Sequence, residues 1–490
     1  MTDASAALAA LTQRLRAVAP FLGVDVAAAT STGPLLSALA VAVRADSTDE
    51  RAWLLGTAVA GGYPTQAEVQ AIRRGLELAT DATAFGAVLS AVARTASELR
   101  EDVVEAIVVE GATVVDVEFC AKNVHNTGIQ RVVRSTMPTW SEEHSPVFVA
   151  WSDDLSGYRE LTAEQRALVL EWSTAPRVVP APVPATAPLV IPWRSTVVIP
   201  EVPGAALLER QSSLARYSGN AVGLIGYDAI PIVSADYVVN EESDRFAHYL
   251  GLVKHSAVVS SISETTAAEF EGFAVSLAQQ GLPGPRVTIA ALPVAMPPKT
   301  HASLDDNNRD VPLVLMVGSI EPRKNQQAVL SAARLLWAEG LEFELLIIGG
   351  GTAWFLAELD KEIRTLQRAG RRVSLGRGVS DAALATAYRD ASVVVFPSLQ
   401  EGYGLPVAEA LATGTPVITT RYGSTAEIAR AGGCLLIDPR DDDDIAAALR
   451  SILTDNELRN RLIAEALARP AESWAGYART LWNDFHEVSA

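Results

Sequence analysis

At 490 residues the chain is longer than one ordinary domain, so two or three are expected. Its 49% hydrophobic and 20% charged residues are the balance of a globular protein with ample core. A net charge of −18 argues against a nucleic-acid-binding surface, and two cysteines, Cys120 and Cys434, each in an apolar run, argue against a disulfide framework or a zinc site.

The first residues, MTDASAALAALTQRLR, are amphipathic and carry an early Asp3, unlike a signal peptide. No apolar run approaches the ~18 residues that a membrane span needs. A cytoplasmic setting is expected, with peripheral membrane contact left open. Residues 1–110 read as an all-helical region: AALAALTQRLRAV, GPLLSALAVAVRA, ERAWLLGTAVAG, QAEVQAIRRGLELA and FGAVLSAVARTASEL repeat apolar residues three or four apart. Breaks fall at Gly33–Pro34, Gly61–Gly62 and Pro64–Thr65. The region shows no chemistry, so packing or homo-oligomer formation is its expected role.

From 111 to 298 the character changes to short Val/Ile-rich runs (ATVVDVEF, SPVFVAW, STVVIP, NAVGLIGYDAIPI, SAVVSSIS, RVTIAALP) separated by helical or loop segments. That alternation predicts a Rossmann-like parallel α/β domain. Its first strand leads into NVHNTGIQRVVR, where Gly128 opens a helix bearing Arg131 and Arg134. A glycine at that junction lets this wall of a cleft approach a ligand. The run LIGYDAIP places Tyr227 and Asp228 at another strand end, facing the cleft. APRVVPAPVPATAPLVIPW holds too many prolines for a central strand or helix and reads as an extended surface loop, either a linker or a lip over a groove.

Residues 299–311, polar and aperiodic, read as an interdomain linker. Alternation then restarts over 312–470, predicting a second Rossmann-like domain facing the first across a cleft. A last helix over 471–490 is expected to cross back to the first sheet.

Ligands of open α/β sheets bind at the carboxyl ends of the strands. Four segments of the second domain fall there. VGSIEPRKN puts Ser319, Arg323 and Lys324 in a strand–helix loop, where a guanidinium and an ammonium can neutralise a departing diphosphate. IIGGG puts Gly349 where backbone can pack closely against loop or ligand. LGRGVSDAALATAYRDA offers backbone near Val379 to a base edge. FPSLQEGYGLPVAEALATGTPVITT carries Glu401 on the turn Gly402–Tyr403–Gly404–Leu405 and Glu409 eight positions later on a helix. Carboxylates accept hydrogen bonds from sugar hydroxyls, and free N–H groups at a helix start meet phosphate. The run Asp441–Asp444 opens a helix, where carboxylates are favourable without any metal. The six histidines show no ligand spacing.

As a set, TGIQRVVR, YDAIP, SSISETTAAEF, VGSIEPRKN, LGRGVSDAALATAYRDASVVVFPS and EGYGLPVAEALATGTPVITT resemble the retaining GT-B glycosyltransferases of family 4, from Val114 to the C-terminus. The resemblance implies that Glu401 contacts the donor hexose, Glu409 holds the ribose, Lys324 and Arg323 bind the diphosphate, and the turn from Gly402 to Leu405 touches phosphate and sugar. It implies hexose transfer, with retention, from a nucleoside diphosphate sugar (GDP-mannose first) to a saccharide or lipid-linked acceptor. Asp228 is the candidate for orienting hydroxyls, and no obligatory metal or other cofactor is expected, because cationic side chains and a helix end do the neutralising. Two positions depart from the pattern: Tyr227 stands where many relatives have histidine, and Ser319 where others have arginine. A GT-B-shaped epimerase and a non-catalytic sugar-nucleotide-binding scaffold are the competing readings.

Overall fold

The computed structural model describes residues 4–28, 31–98, 103–184, 186–294, 310–470 and 473–487. Six helices open the chain: α1 (Ala4–Val18), α2 (Thr32–Ala45), α3 (Asp49–Ala60), α4 (Gln66–Leu78), α5 (Ala84–Ala91) and α6 (Ala93–Glu98). Their starts follow local capping chemistry. Thr65 and Glu68 exchange side-chain and backbone bonds in a capping box, and the Thr48 side chain accepts from Arg51 N–H.

These helices share one core with the first sheet: Leu15, Leu39, Trp53 and Ile72 cluster with Val114, Trp151, Ile191 and Leu224. Taking an aliphatic side chain such as Leu39 fully out of water stabilises the fold by about 1.5–3 kcal/mol. Polar ties reinforce the layer. Buried Arg14 donates to the carbonyls of Ala58 (2.8 Å) and Val104 (2.6 Å), and the Tyr63 hydroxyl donates to Val190 O at 2.5 Å. The helical region is therefore the cover of one sheet face.

The first lobe continues with β1 (Ala106–Glu110), β2 (Thr113–Asp116), α7 (Glu118–Lys122), α8 (Gly128–Glu143), β3 (Val147–Trp151), β4 (Tyr158–Glu160), α9 (Ala163–Leu170), β5 (Leu189–Trp193), β6 (Thr196–Ile199) and α10 (Ala205–Tyr217). Then come β7 (Ala221–Gly226), α11 (Ile230–Val233), α12 (Asn240–His255), β8 (Val258–Ser261), α13 (Glu264–Ala278) and β9 (Arg286–Ile289). The nine strands run β1-β5-β4-β3-β2-β6-β7-β8-β9.

Three expectations are corrected here. The stretch 1–110 is not all helical, because β1 lies inside it and pairs with β5 from Ala106↔Leu189 to Glu110↔Trp193. The proline-rich run also yields a buried strand, β5, despite Pro192. Leu189 N–H points to β1, bonding Glu105 O, so alternation turns Pro192 nitrogen to the β4 side. There the antiparallel pairing is confined to Tyr158↔Val190, and no ladder bond is lost. With β4 antiparallel to both neighbours, the sheet is mixed rather than wholly parallel.

The linker expected over 299–311 lies outside the described residues except for 310 and 311. The second lobe holds β10 (Leu313–Val317), α14 (Gln326–Ala338), β11 (Glu344–Ile348), α15 (Ala353–Arg368), β12 (Val373–Gly376), α16 (Asp381–Asp390), β13 (Val393–Phe396) and α17 (Leu405–Ala412). It ends with β14 (Val417–Thr420), α18 (Gly423–Ala429), β15 (Cys434–Ile437), α19 (Asp442–Thr454) and α20 (Asn456–Leu467). Its six strands, all parallel, run β12-β11-β10-β13-β14-β15, with apolar clusters on both faces.

The final helix, α21 (Trp474–His486), packs on the first lobe against α8. Trp140 Nε1 donates to Ala478 O at 2.7 Å, and Asp484 accepts from Ser260 and Thr288 at 2.6 and 2.8 Å.

Candidate functional site

The loop after β10 makes a 3-10 turn at Pro322–Lys324, and Asn325 takes a left-handed conformation (φ 62°) before α14 starts. The Asn325 side chain is anchored to Pro439 O at 2.6 Å. This geometry turns Arg323 and Lys324 toward the loop after β13, the neighbouring strand. Arg323 donates to Gln400 O at 2.7 Å and pairs with Glu401 at 3.0 Å and Glu321 at 2.8 Å. Lys324 Nζ pairs with the other Glu401 oxygen and lies 5.2 Å from the centre of the Phe396 ring. The Ser398 hydroxyl also donates to Glu401, at 2.5 Å.

Burial pushes the Glu401 carboxyl up, but Lys324, Arg323 and the Ser398 hydroxyl outweigh it and hold it below the usual carboxylate range. The cationic loop and the acidic turn are thus in direct contact.

Glu409, on α17, is 5% exposed. One oxygen accepts from the Tyr388 hydroxyl at 2.9 Å, and the other pairs with Arg131 of α8, which reaches across from the first lobe. Gly128, at the start of α8, faces Leu405: a Cβ on Gly128 would lie 3.5 Å from Leu405 Cδ1. The turn between the two glutamates packs still closer. A Cβ on Gly402 would lie 2.1 Å from the carbonyl oxygen of Tyr227, so only glycine permits this approach of the lobes. Tyr403 donates through its hydroxyl to Leu292 O at 2.6 Å, and Gly404 takes φ 110° before α17.

Asp228 lies just beyond β7 and accepts from the N–H of Ile230, two residues on, at 3.1 Å. Burial pushes its carboxyl up, Arg323 and Lys324 oppose that, and Glu401 adds to it. The group therefore sits within the field of the cationic loop. Tyr227 does not point into the gap: its hydroxyl donates to Pro200 O at 2.8 Å and its ring joins the first lobe's core. Only its backbone meets Gly402.

The remaining expected positions lie along the same sheet edge. Ser319 is exposed and donates to Glu321 at 2.5 Å. Gly349 packs beneath it, since a Cβ there would stand 1.8 Å from Gly318 O; close packing of the two loops accounts for this glycine. Val379 is half-buried beyond β12. In the order β12-β11-β10-β13, Val379, Gly349, Ser319 with the cationic pair, and Glu401 follow one another across three strand spacings. At about 4.8 Å each, the edge spans roughly 14 Å.

Helix α13, which begins within the motif SSISETTAAEF, joins the lobes. Ser263 and Thr266 hydroxyls donate to Gly402 O at 2.7 and 3.1 Å, and Glu427 of the second lobe accepts from the N–H groups of Glu264 (2.8 Å) and Thr265 (2.7 Å). Glu269, also on α13, is pushed up to about 7, chiefly by burial. On the first lobe, Trp172 is clamped between the guanidiniums of Arg134 and Arg177, 3.6 and 3.3 Å from its ring centre. Arg134 also donates to the carbonyls of Asn123 and His125. One guanidinium therefore ties the loop before Gly128 to the start of the proline-rich stretch.

Asp441 caps α19, accepting from Asp443 and Asp444 N–H at 3.0 and 3.2 Å. Among the described residues no three His, Cys, Asp or Glu side chains are gathered as a metal site, and no helix is long and apolar enough to cross a membrane.

Residues 303–469 match the family model for glycosyl transferases group 1. O-antigen chain mannosyltransferase B of Escherichia coli is 35% identical over 161 residues, 33% of this chain and 42% of that protein. The serotype-specific mannosyltransferase WbdA of Escherichia coli is 23% identical over 329 residues, 64% of this chain and 39% of that protein. Phosphatidyl-myo-inositol mannosyltransferase of Mycolicibacterium smegmatis is 36% identical over 169 residues, 34% of this chain and 42% of that protein. The chain thus spans about two fifths of the length of these curated relatives.

Among solved structures, Anabaena HepE in complex with UDP and glucose aligns at TM-score 0.54 and 10% identity over 76% of this chain and 98% of its own. Sucrose-phosphate synthase of Thermosynechococcus elongatus aligns at TM-score 0.53 and 17% identity over 77% and 99%. These likenesses show the fold, GT-B, with an added N-terminal helical layer.

Proposed function

We propose, from the match of residues 303–469 to the family model for glycosyl transferases group 1, that the chain moves a hexose from a nucleoside diphosphate sugar to a hydroxyl of a saccharide or lipid-linked acceptor. The observation that carries this reading is the Arg323–Lys324–Glu401 cluster at the adjoining ends of β10 and β13. Without donor, Glu401 neutralises the two cations. A bound diphosphate takes its place against Arg323 and Lys324, and the carboxylate becomes free to accept hydrogen bonds from the sugar. The edge from Val379 to Glu401 is long enough for base, diphosphate and hexose laid end to end.

The bond from the anomeric carbon to the leaving phosphate oxygen breaks, and a bond to the acceptor oxygen forms on the same face. The acceptor's proton passes to the leaving phosphate, and charge growing there is met by Arg323 and Lys324 in fixed positions. Those cations do the neutralising, so the design calls for no obligatory metal. Asp228 orients acceptor or sugar hydroxyls. Mannose is the first choice of hexose, because several relatives are named mannosyltransferases.

The test is a panel of GDP-, UDP- and dTDP-hexoses, each incubated with saccharide and lipid-linked acceptors and followed by product mass. Transfer from at least one donor is expected. Binding without turnover would favour a scaffold, and conversion of the donor sugar without acceptor would indicate an epimerase.

A further inference from the structure

Two carboxylates of the candidate site, Asp228 and Glu401, come from different lobes, and a third group lies between their backbones. Glu269 Oε2 accepts the N–H of Ala229, the residue after Asp228, at 2.9 Å. Its Oε1 accepts from the Gln400 side chain, the residue before Glu401, at 2.8 Å. The carboxylate only accepts, so it fixes the Gln400 amide in that sense, and the amide oxygen accepts from the Ser234 hydroxyl at 3.0 Å. Its backbone carbonyl accepts from Arg323 at 2.7 Å. One carboxylate on α13 therefore anchors the Asp228 loop with one oxygen and the Gln400–Glu401 turn with the other.

The geometry points to Glu269 as the positioning residue that sets Asp228 and Glu401 in register across the closed lobes, a role that rests on the transfer reaction proposed above. Both of its partners are N–H donors, so the position requires two acceptor oxygens, which a carboxylate supplies and an amide does not. Glu269 touches neither Lys324 nor the reacting atoms. Its effect passes through the placement of the two loops, and displacement of a reacting group by about 1 Å can cost on the order of 10²-fold in rate.

The hydrogen-bond polarity gives a test within the full chain. Glu269→Gln sets an amide N–H against Ala229 N–H or the Gln400 amide, or turns the Gln400 amide over and reverses its bond with Ser234. The expected result is a kcat lower by roughly 30- to 100-fold with donor KM changed less than about threefold. Gln400→Glu alone sets two carboxylates together and is expected to fall similarly. The double variant Glu269→Gln, Gln400→Glu reverses the donor–acceptor sense and leaves Ser234 a carboxylate to donate to. It is expected to return kcat to within about fivefold of the parent. Wild-type kcat in Glu269→Gln, or singles that fall with melting temperature and no recovery in the double, would overturn the role.

If the parent chain transfers from no donor, the proposed reaction fails, and Glu269 is tested by the distance between spin labels placed one on each lobe. That distance is expected to broaden in Glu269→Gln and narrow again in the double variant. An unchanged distribution would overturn the positioning role by itself.

Discussion

Glu401→Gln is expected to lower hexosyl transfer by roughly 10²- to 10³-fold, the scale seen when one preorganised polar group is removed from a transition state. Glu401 is the group that both cations hold in the resting site, and it is 11% exposed against 10% for Lys324 and 14% for Arg323. Removing one partner of so buried a pair leaves charge uncompensated, at a cost of about 3–5 kcal/mol. Glutamine retains an acceptor oxygen, which places the expected loss of stability at the lower end. Rate and melting temperature must therefore be measured together.

Binding of the free nucleoside diphosphate separates the two effects. Glu401 competes with the diphosphate for Lys324 and Arg323, so its neutralisation should leave that affinity unchanged or tighter while kcat collapses. A parallel weakening of diphosphate binding and rate would contradict the role assigned to Glu401.

Gly402→Ala should be nearly as damaging for a different reason. Its methyl group would stand 2.1 Å from Tyr227 O and 3.1 Å from Asp228 Cβ, inside both the first lobe's backbone and a candidate site residue. Neither lobe needs this contact for its own core, so melting temperature should change little. The lobes, however, cannot reach the same closure, and a displacement of about 1 Å at the reacting groups predicts a loss of about 10²-fold in kcat. Steady-state kinetics paired with a thermal melt checks this. Retained kcat would mean that the closed arrangement is not the reactive one.

Much of this frame can be read along the chain because it is local. Runs such as PLVLMVGS and ASVVVFPS are bounded by turn residues and become β10 and β13. The strand-end rule then places Arg323, Lys324 and Glu401 at one sheet edge from the sequence alone. What stayed hidden depends on partners distant in sequence. Strand β1 precedes its neighbour β5 by some 80 residues, and its run AIVVE merges with the helical stretch before it. Pro192 argued against a strand by a correct rule, and only the short β4 pairing shows why the rule does not bind there.

The alternation of side chains at the end of β7 sends Tyr227 into the core, whereas the strand-end rule alone pointed it into the gap. Arg131 could be seen in TGIQRVVR, but its partner Glu409 lies 278 residues away, and Glu269 is 131 residues from Gln400. No periodicity or spacing connects such pairs. They exist only once the two lobes have met.

The central claim is that the loop at Arg323–Lys324 holds a diphosphate whose sugar lies against Glu401. Calorimetric titration of the full chain with GDP, UDP and dTDP, repeated on Lys324→Ala, tests it most directly. The account predicts saturable binding of at least one of the three, weakened by about tenfold or more when the ammonium is removed. Binding of none, or binding that Lys324→Ala leaves untouched, would contradict it.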